Sequence, residues 1–265
     1  REIRRMTGEA AVRLNKYSEV RESIYGKHVR SSDMLLTGLI YGCTAVSLLI
    51  LVGILGYTFV RGIPHVTWSF LSTASSAVKG TFGILGNIIN TIYIVVITLL
   101  IATPIGVGSA VYLNEYAKPG KIVRMIEFTT ETLSGIPSII FGLFGMVFFG
   151  NTIGLGYSIL TGSLTLTLMI LPLITRTTQE ALKTVPDSYR HGALGIGATK
   201  WYMIRTILLP SAMPGIVTGV ILAIGRIVGE SAALLFTAGS GYYLPKNILG
   251  KIFESGGTLT IQLYL

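Results

Sequence analysis

The sequence predicts an all-α, polytopic membrane helical bundle, and three observations carry that reading. Hydrophobic residues make up 51% of the 265 positions while charged residues make up only 12%. A soluble domain carries about 25% charged residues, so a globule of this size would struggle to cover its surface. Mean hydropathy is +0.67. Several uncharged stretches also approach the roughly 20 residues that, at a 1.5 Å rise, cross about 30 Å of hydrocarbon.

Taken in order, residues 1–33 form a polar segment with eight Lys and Arg and five acids. It reads as a cytoplasmic, solvated arm beside the membrane rather than a nucleic-acid patch. Residues 34–265 then form the transmembrane domain. The first span, 35–60, is uncharged throughout. It follows 33 polar residues, is too long for the apolar core of a signal peptide and lacks a small-residue cleavage site, so it is a retained helix. The lone Cys43 lies within it, which excludes an intrachain disulfide. The second span covers 84–113, where Pro104 and Gly106 are expected to break it. The third covers 133–150, interrupted near its start by Gly135 and Pro137. The fourth covers 159–175, and the fifth 207–238, beginning with interfacial residues. Five spans are visible.

Basic residues set the orientation. Sixteen of the 21 Lys and Arg lie in segments 1–33, 114–124 and 176–206. Only Arg61, Lys79, Lys246 and Lys251 fall in the alternate segments, and Arg226 lies inside a span. The amino terminus and the segment 176–206 are therefore expected on the inner side of a bacterial or archaeal cytoplasmic membrane. The net charge of +9 then needs no nucleic-acid partner.

Catalysis in this chain is not expected. Residues 192–200 superficially resemble a phosphate-binding loop, but its closing Gly-Lys-Ser/Thr is here Gly197, Ala198 and Thr199. His28, His65 and His191 are too scattered to ligate a metal. No cofactor is expected, and any energy source must lie elsewhere.

The polar interruption at 176–206 has a physical logic of its own. Pro186 and Asp187 suit the first turn of a helix, where a missing N–H costs nothing and a carboxylate favours the dipole. Tyr189, Ala193 and Ile196 then fall on one narrow apolar stripe. Gly192, Gly195 and Gly197 each weaken an isolated helix by up to about 1 kcal/mol relative to alanine. Small residues fit a place where another protein surface approaches closely; the alternative is a helix lying on the bilayer. A lone His191 reads as solvated.

Two further features stand inside the spans. Arg226 and Glu230 are four residues apart, which on a continuous helix puts them on one face, about 6 Å apart along the axis. Each charge at a helix centre costs roughly 2.5–3.5 kcal/mol, so they are expected to face inward and interact. They read either as an ion pair holding helices in register or as an anion pathway. In the pathway reading Arg226 meets the substrate through its planar fork and Glu230 holds the arginine in place. At the Gly135/Pro137 break, freed N–H groups with the Ser134 and Ser138 hydroxyls could meet an anion, or the break is a packing kink. Gly215/Gly219 and Gly225/Gly229 have the spacing of close helix contacts.

The run HGALGIGATKWYMIRTILLP at 191–210 resembles the "EAA" loop of ABC-transporter permeases, on Gly192, Ala193, Gly197, Ile207, Leu209 and Pro210. His191 stands where that motif has glutamate and Gly192 where it has alanine. The loop is the short helical region by which such permeases dock onto a cytoplasmic ATPase. The run RIVGESAALLFTAG at 226–239 is similar to a stretch of the A-type permease subunits of bacterial phosphate-specific ABC transporters. So are SGIPSIIFGLFG at 134–145, VYLNEYA at 111–117 and LKTVPDSYRHGALGIGATKW at 182–201.

That resemblance implies a type I ABC importer fold, with a sixth span expected after Leu265. It implies phosphate as substrate, a related C-type permease as partner, an ATPase dimer that hydrolyses ATP, and an extracytoplasmic phosphate-binding protein. A sulfate or molybdate permease would share the docking loop. A secondary transporter would need its own coupling-ion residues, and only Glu230 lies deep in a span. A structural or signalling membrane subunit would assemble with partners without carrying flux.

Overall fold

The computed structural model describes residues 31–76, 80–118, 120–244, 247 and 250–265. Residues 1–30 of the expected cytoplasmic arm, and with them His28, lie outside the described residues, as do Lys79 and Lys246. The chain divides into two compact units, Arg1–Val66 and Thr67–Leu265.

In the first unit, helix α1 (Ser31–Gly62) is 32 residues long and ends in a 3₁₀ turn, Ile63–His65. It extends a few residues beyond the predicted 35–60 stretch at each end. At 1.5 Å per residue it is longer than the roughly 30 Å it would cross, which leaves both ends outside the hydrocarbon. Its large apolar side chains are exposed, and Cys43 is a free thiol among them.

The second unit begins with a short helix, α2 (Trp68–Ser72), and an antiparallel pair, β1 (Ala74–Ser76) and β2 (Thr81–Ile84), in register Ala74 to Ile84. Helix α3 (Leu85–Val111) follows and closes in a π turn, Tyr112–Tyr116. The expected break at Pro104 is absent: the helix runs through it. Packing explains the neighbouring glycine instead, because a Cβ at Gly106 would lie 2.8 Å from Ile174 Cγ2. In a membrane, contacts with neighbouring helices compensate for the hydrogen bond a proline removes.

The third span breaks where expected. Helix α4 (Lys121–Ser134) meets α5 (Ser138–Gly145), which continues as a π-helical stretch, Met146–Thr152, at a bend of 100°. Hydropathy predicts a single span from 133; α4 is instead a separate amphipathic helix that precedes the break. Helix α6 (Ile159–Lys183) is the central element, and α3 packs along it. Counting the bent pair once, five candidate spans are found among the described residues.

Beyond α6 come α7 (Asp187–Gly195) and α8 (Lys200–Met203), the latter continuing through a π turn, Ile204–Leu208, into α9 (Leu209–Gly229). The fifth span was expected to run unbroken to 238. It stops at Gly229, and a new short helix, α10 (Ala232–Thr237), begins after a break. The described chain closes with α11 (Leu259–Tyr264).

Two cores result, held by different physics. The first lies among α3, α5, α6, α9 and α10, with Ile94, Leu166, Ile170, Ile227 and Leu234 buried in it. Lipid tails are as apolar as these side chains, so close packing rather than the hydrophobic effect holds it. Small residues provide the approach: a Cβ at Gly142 would lie 2.8 Å from Ala233 Cα, and one at Gly219 would collide with the Thr177 hydroxyl. The second core gathers Val111, Leu182, Val185, Ala193, Met203, Ile204 and Leu208 where the charged segment 176–206 leaves the bundle. There water is the alternative, and each fully buried large side chain contributes about 1.5–3 kcal/mol.

The opposite end is stitched by amides. Asn87 Nδ2 donates to the Gly257 carbonyl at 3.1 Å, and Asn90 Nδ2 to the carbonyls of Gly241 at 3.0 Å and Gly257 at 3.2 Å. Leu259 N donates to Thr91 Oγ1 at 3.1 Å. These bonds hold the segment from Gly241 to Leu259 against the start of α3.

Candidate functional site

The segment 187–210 forms a compact helix–turn–helix built on the second core. Pro186 precedes α7 and Asp187 opens it, as the sequence predicts. Ala193 is buried in the core at 4% exposure. The expected apolar stripe does not form, because α7 ends at Gly195. Ile196 is its C-cap and stands 88% exposed, while Tyr189 is half exposed.

Gly197 has the conformation that ends the helix. Its φ is +84°, its N–H donates to Leu194 O, and the Ala198 N–H donates to Ala193 O, both at 3.0 Å. This pair of bonds is a Schellman motif, which satisfies two carbonyls that the helix leaves orphaned. Thr199 then caps the next helix, its hydroxyl accepting from Tyr202 N at 3.3 Å. Pro210 lies in the first turn of α9, Ile207 and Leu209 pack against the second core, and His191 and Gly192 are exposed. No heavy atom lies within 4 Å of where a Cβ would stand at Gly192, Gly195 or Gly197. The outer face of the element is therefore open, with Leu194, Ile196 and Trp201 exposed on it.

What holds this element was not foreseen from the sequence. Arg190 Nε and Nη2 donate to Glu115 Oε1 at 3.2 and 3.0 Å. Arg190 Nη1 donates to Val185 O at 2.9 Å and Asp187 Oδ1 at 3.0 Å, and Nη2 to Leu182 O at 3.0 Å. These contacts use all five guanidinium donors. The two side chains are 17% and 5% exposed, and Asn114 Nδ2 donates to the same Glu115 oxygen at 2.8 Å. Removing one partner of such a buried pair costs about 3–5 kcal/mol. On the other side of the turn, Lys200 Nζ lies 5.0 Å from the centre of the Tyr116 ring. The only sequence signal was an acid, Glu115, in an otherwise basic segment.

Arg226 and Glu230 do not pair. Their shared face required a continuous helix, and Glu230 instead takes an extended conformation (ψ 125°) at the C-cap of α9. Its Oε1 accepts from Ala233 N at 3.0 Å and its carbonyl accepts from Thr260 Oγ1 at 2.8 Å. Arg226 lies in the last turn of α9, where a cation complements the helix dipole. Each charge is thus answered by a different helix end. Among the described residues Arg226 enters no ion pair.

The break at 135–137 also differs from its anion-binding reading. The Ser134 hydroxyl is committed to its own helix, donating to Thr130 O at 3.1 Å and Glu131 O at 2.9 Å. It faces a cavity of about 280 Å³ lined by Glu127, Glu131 and Glu180 beside Arg176 and Lys183, and three carboxylates do not favour an anion. Ser138 is half-buried at the start of α5. The structure brings α5 and α10, the helices after the two breaks, side by side through Gly142 and Ala233, but the Ser134 hydroxyl is bound to Thr130 and Glu131 rather than to Arg226. Gly215 and Gly219 pack on α6 as their spacing predicts; Gly225 and Gly229, flanking Arg226, have open space where a Cβ would stand. Among the described residues no three His, Cys, Asp or Glu side chains gather as a metal site.

Residues 102–265 match a family described as the binding-protein-dependent transport system inner membrane component. The chain is 43% identical over 208 residues to the "Probable ABC transporter permease protein YqgI" of Bacillus subtilis, covering 78% of this chain and 71% of that one. It is 35% identical over 219 residues to the phosphate transport system permease protein PstA of Haemophilus influenzae, covering 83% and 77%. Against a solved inward-facing MetNI methionine ABC transporter it aligns over 59% of this chain and 75% of that one, at 25% identity and a TM-score of 0.48.

Proposed function

Because this chain belongs to the family of binding-protein-dependent transport system inner membrane components, we propose that it is the permease subunit of an ATP-driven phosphate importer. The observation that carries phosphate as the substrate is the 35% identity to a phosphate transport permease over 83% of the chain. In this reading the chain forms half of the translocation pathway and hydrolyses nothing itself. A related C-type permease completes the pathway, an ATPase dimer supplies the energy, and an extracytoplasmic binding protein delivers phosphate. The amino terminus lies inside, following the basic-residue asymmetry.

The geometry supports a division of labour. The open face of 187–200 is the surface on which the ATPase docks, and ATP binding in that separate subunit displaces the element together with the core beneath it. The packed helices α6 and α9 tilt as a unit, since tight packing transmits displacement. Among the described residues Arg226 has no carboxylate partner, and its fork can donate two parallel hydrogen bonds to an oxyanion. Gly225 and Gly229 leave room beside it for phosphate or the second permease. Glu230 serves differently from its sequence reading: it anchors the break that ends α9, bound at both its carboxylate and its carbonyl.

Phosphate uptake into vesicles carrying the complete complex tests the reading. Arg226→Gln is expected to abolish uptake while leaving assembly intact; unchanged uptake would remove Arg226 from the pathway. Binding-protein-stimulated ATPase activity answered by sulfate or molybdate rather than phosphate would reassign the substrate. Uptake insensitive to ATP depletion would overturn the ATP-driven class.

A further inference from the structure

The Arg190 clasp is more elaborate than a docking helix needs merely to fold. We propose that the π turn Tyr112–Tyr116 is a clamp that couples the docking element rigidly to α3, with Arg190 and Glu115 as its positioning residues. The inference rests on the reading of 187–200 as the ATPase-docking surface and goes beyond it by naming how displacement leaves that surface.

Three features point this way. First, the turn grips the element on both sides of its tip: Glu115 holds Arg190 before the 196–199 turn, and Tyr116 meets Lys200 after it. Second, Arg190 joins three pieces of chain through one planar group. It binds Glu115 at the end of α3, the Leu182 and Val185 carbonyls at the end of α6, and Asp187 at the start of its own helix. Only an arginine fork reaches all of these at once. Third, the Arg190–Glu115 pair at the heart of the clasp is largely protected from water, unlike Asp187, so it is little screened by salt. Without it the 184–187 connection between α6 and α7 would absorb displacement instead of passing it on. The π turn suits the role, since such turns are frequent at functional sites.

The test uses the whole complex in proteoliposomes and reads phosphate transported per ATP hydrolysed. This ratio does not depend on how much complex assembles, so a merely structural defect leaves it unchanged. Glu115→Gln keeps the shape of the side chain and removes its charge. Arg190→Lys keeps a charge and removes the fork. Both are expected to lower the ratio by about fivefold or more, with ATPase activity persisting. Tyr116→Leu removes the exposed half of the clamp and is expected to lower the ratio to a smaller degree. An assembled Glu115→Gln or Arg190→Lys complex with the wild-type ratio overturns the proposal. If neither of those variants assembles, an unchanged ratio in Tyr116→Leu overturns it. Failure of the wild-type chain to capture any ATPase would instead sink the docking reading beneath it.

Discussion

Gly192 and Gly197 lie five residues apart on the docking element, and the same substitution should act on them with opposite sign. Gly197 has φ +84°, where a Cβ crowds the following carbonyl, so Gly197→Ala costs about 1–2 kcal/mol. Gly192 lies within α7, with no atom inside 4 Å of a Cβ, so Gly192→Ala removes backbone freedom from the unfolded chain and adds up to about 1 kcal/mol. Amide hydrogen exchange across residues 187–198 of the purified subunit reads both changes locally. Protection should fall about 5- to 30-fold in Gly197→Ala and rise by up to about fivefold in Gly192→Ala. Gly197→Asn should fall between them, since asparagine tolerates the left-handed region. Equal or greater protection in Gly197→Ala would refute the Schellman ending of the helix. A functional arm separates fold from docking: Gly192→Leu should keep protection but lose co-purification with the ATPase, because its side chain fills the space the partner needs.

Other outcomes follow from the packing. Gly219→Val should destabilise the subunit by about 1–3 kcal/mol, since its Cβ meets Thr177, whereas Gly225→Val faces open space and should leave thermal stability unchanged. Gly225→Val should instead impair assembly with the second permease, seen as loss of the complex on size-exclusion chromatography. Asn90→Leu removes one of the two donors to each of the Gly241 and Gly257 carbonyls, which keep the Gly257 N–H and Asn87 Nδ2 respectively, at about 0.5–1.5 kcal/mol per lost bond, and should expose 241–258 to protease added outside intact cells. Cysteine labelling at position 200 should require a membrane-permeant reagent; labelling by an impermeant one would place the docking element outside and overturn the function.

Much of the fold was legible because the bilayer imposes a simple rule. Backbone groups in hydrocarbon must be satisfied within the segment, so an apolar run of sufficient length is a helix wherever its neighbours lie. That rule located the spans from α1 to α9, and the Gly135–Pro137 break showed because glycine and proline act locally. It misjudged Pro104, whose lost bond α3 tolerates against α6, and it passed over the amphipathic α4, whose charges hide its length from a hydropathy reading. In the candidate site, Pro186 and Asp187 were readable as a helix start because they act within a few positions, whereas the helix-ending turn at Gly197 and the Thr199 cap came only with the structure.

The functional pairings were not readable, and the reason is separation along the chain. The spacing of Arg226 and Glu230 implies a shared face only while the helix continues. What accompanies its ending is remote: the Thr260 hydroxyl on the Glu230 carbonyl, and Gly142 packed on Ala233. Arg190 and Glu115 are 75 residues apart, and no periodicity connects them. Sequence alone determined that this chain crosses a membrane and carries a polar segment that opens a helix at Pro186 and Asp187, because those properties depend on composition over a few helical turns. Tertiary structure decided which charges meet, because a buried ion pair forms only where packing brings both ends together and excludes water.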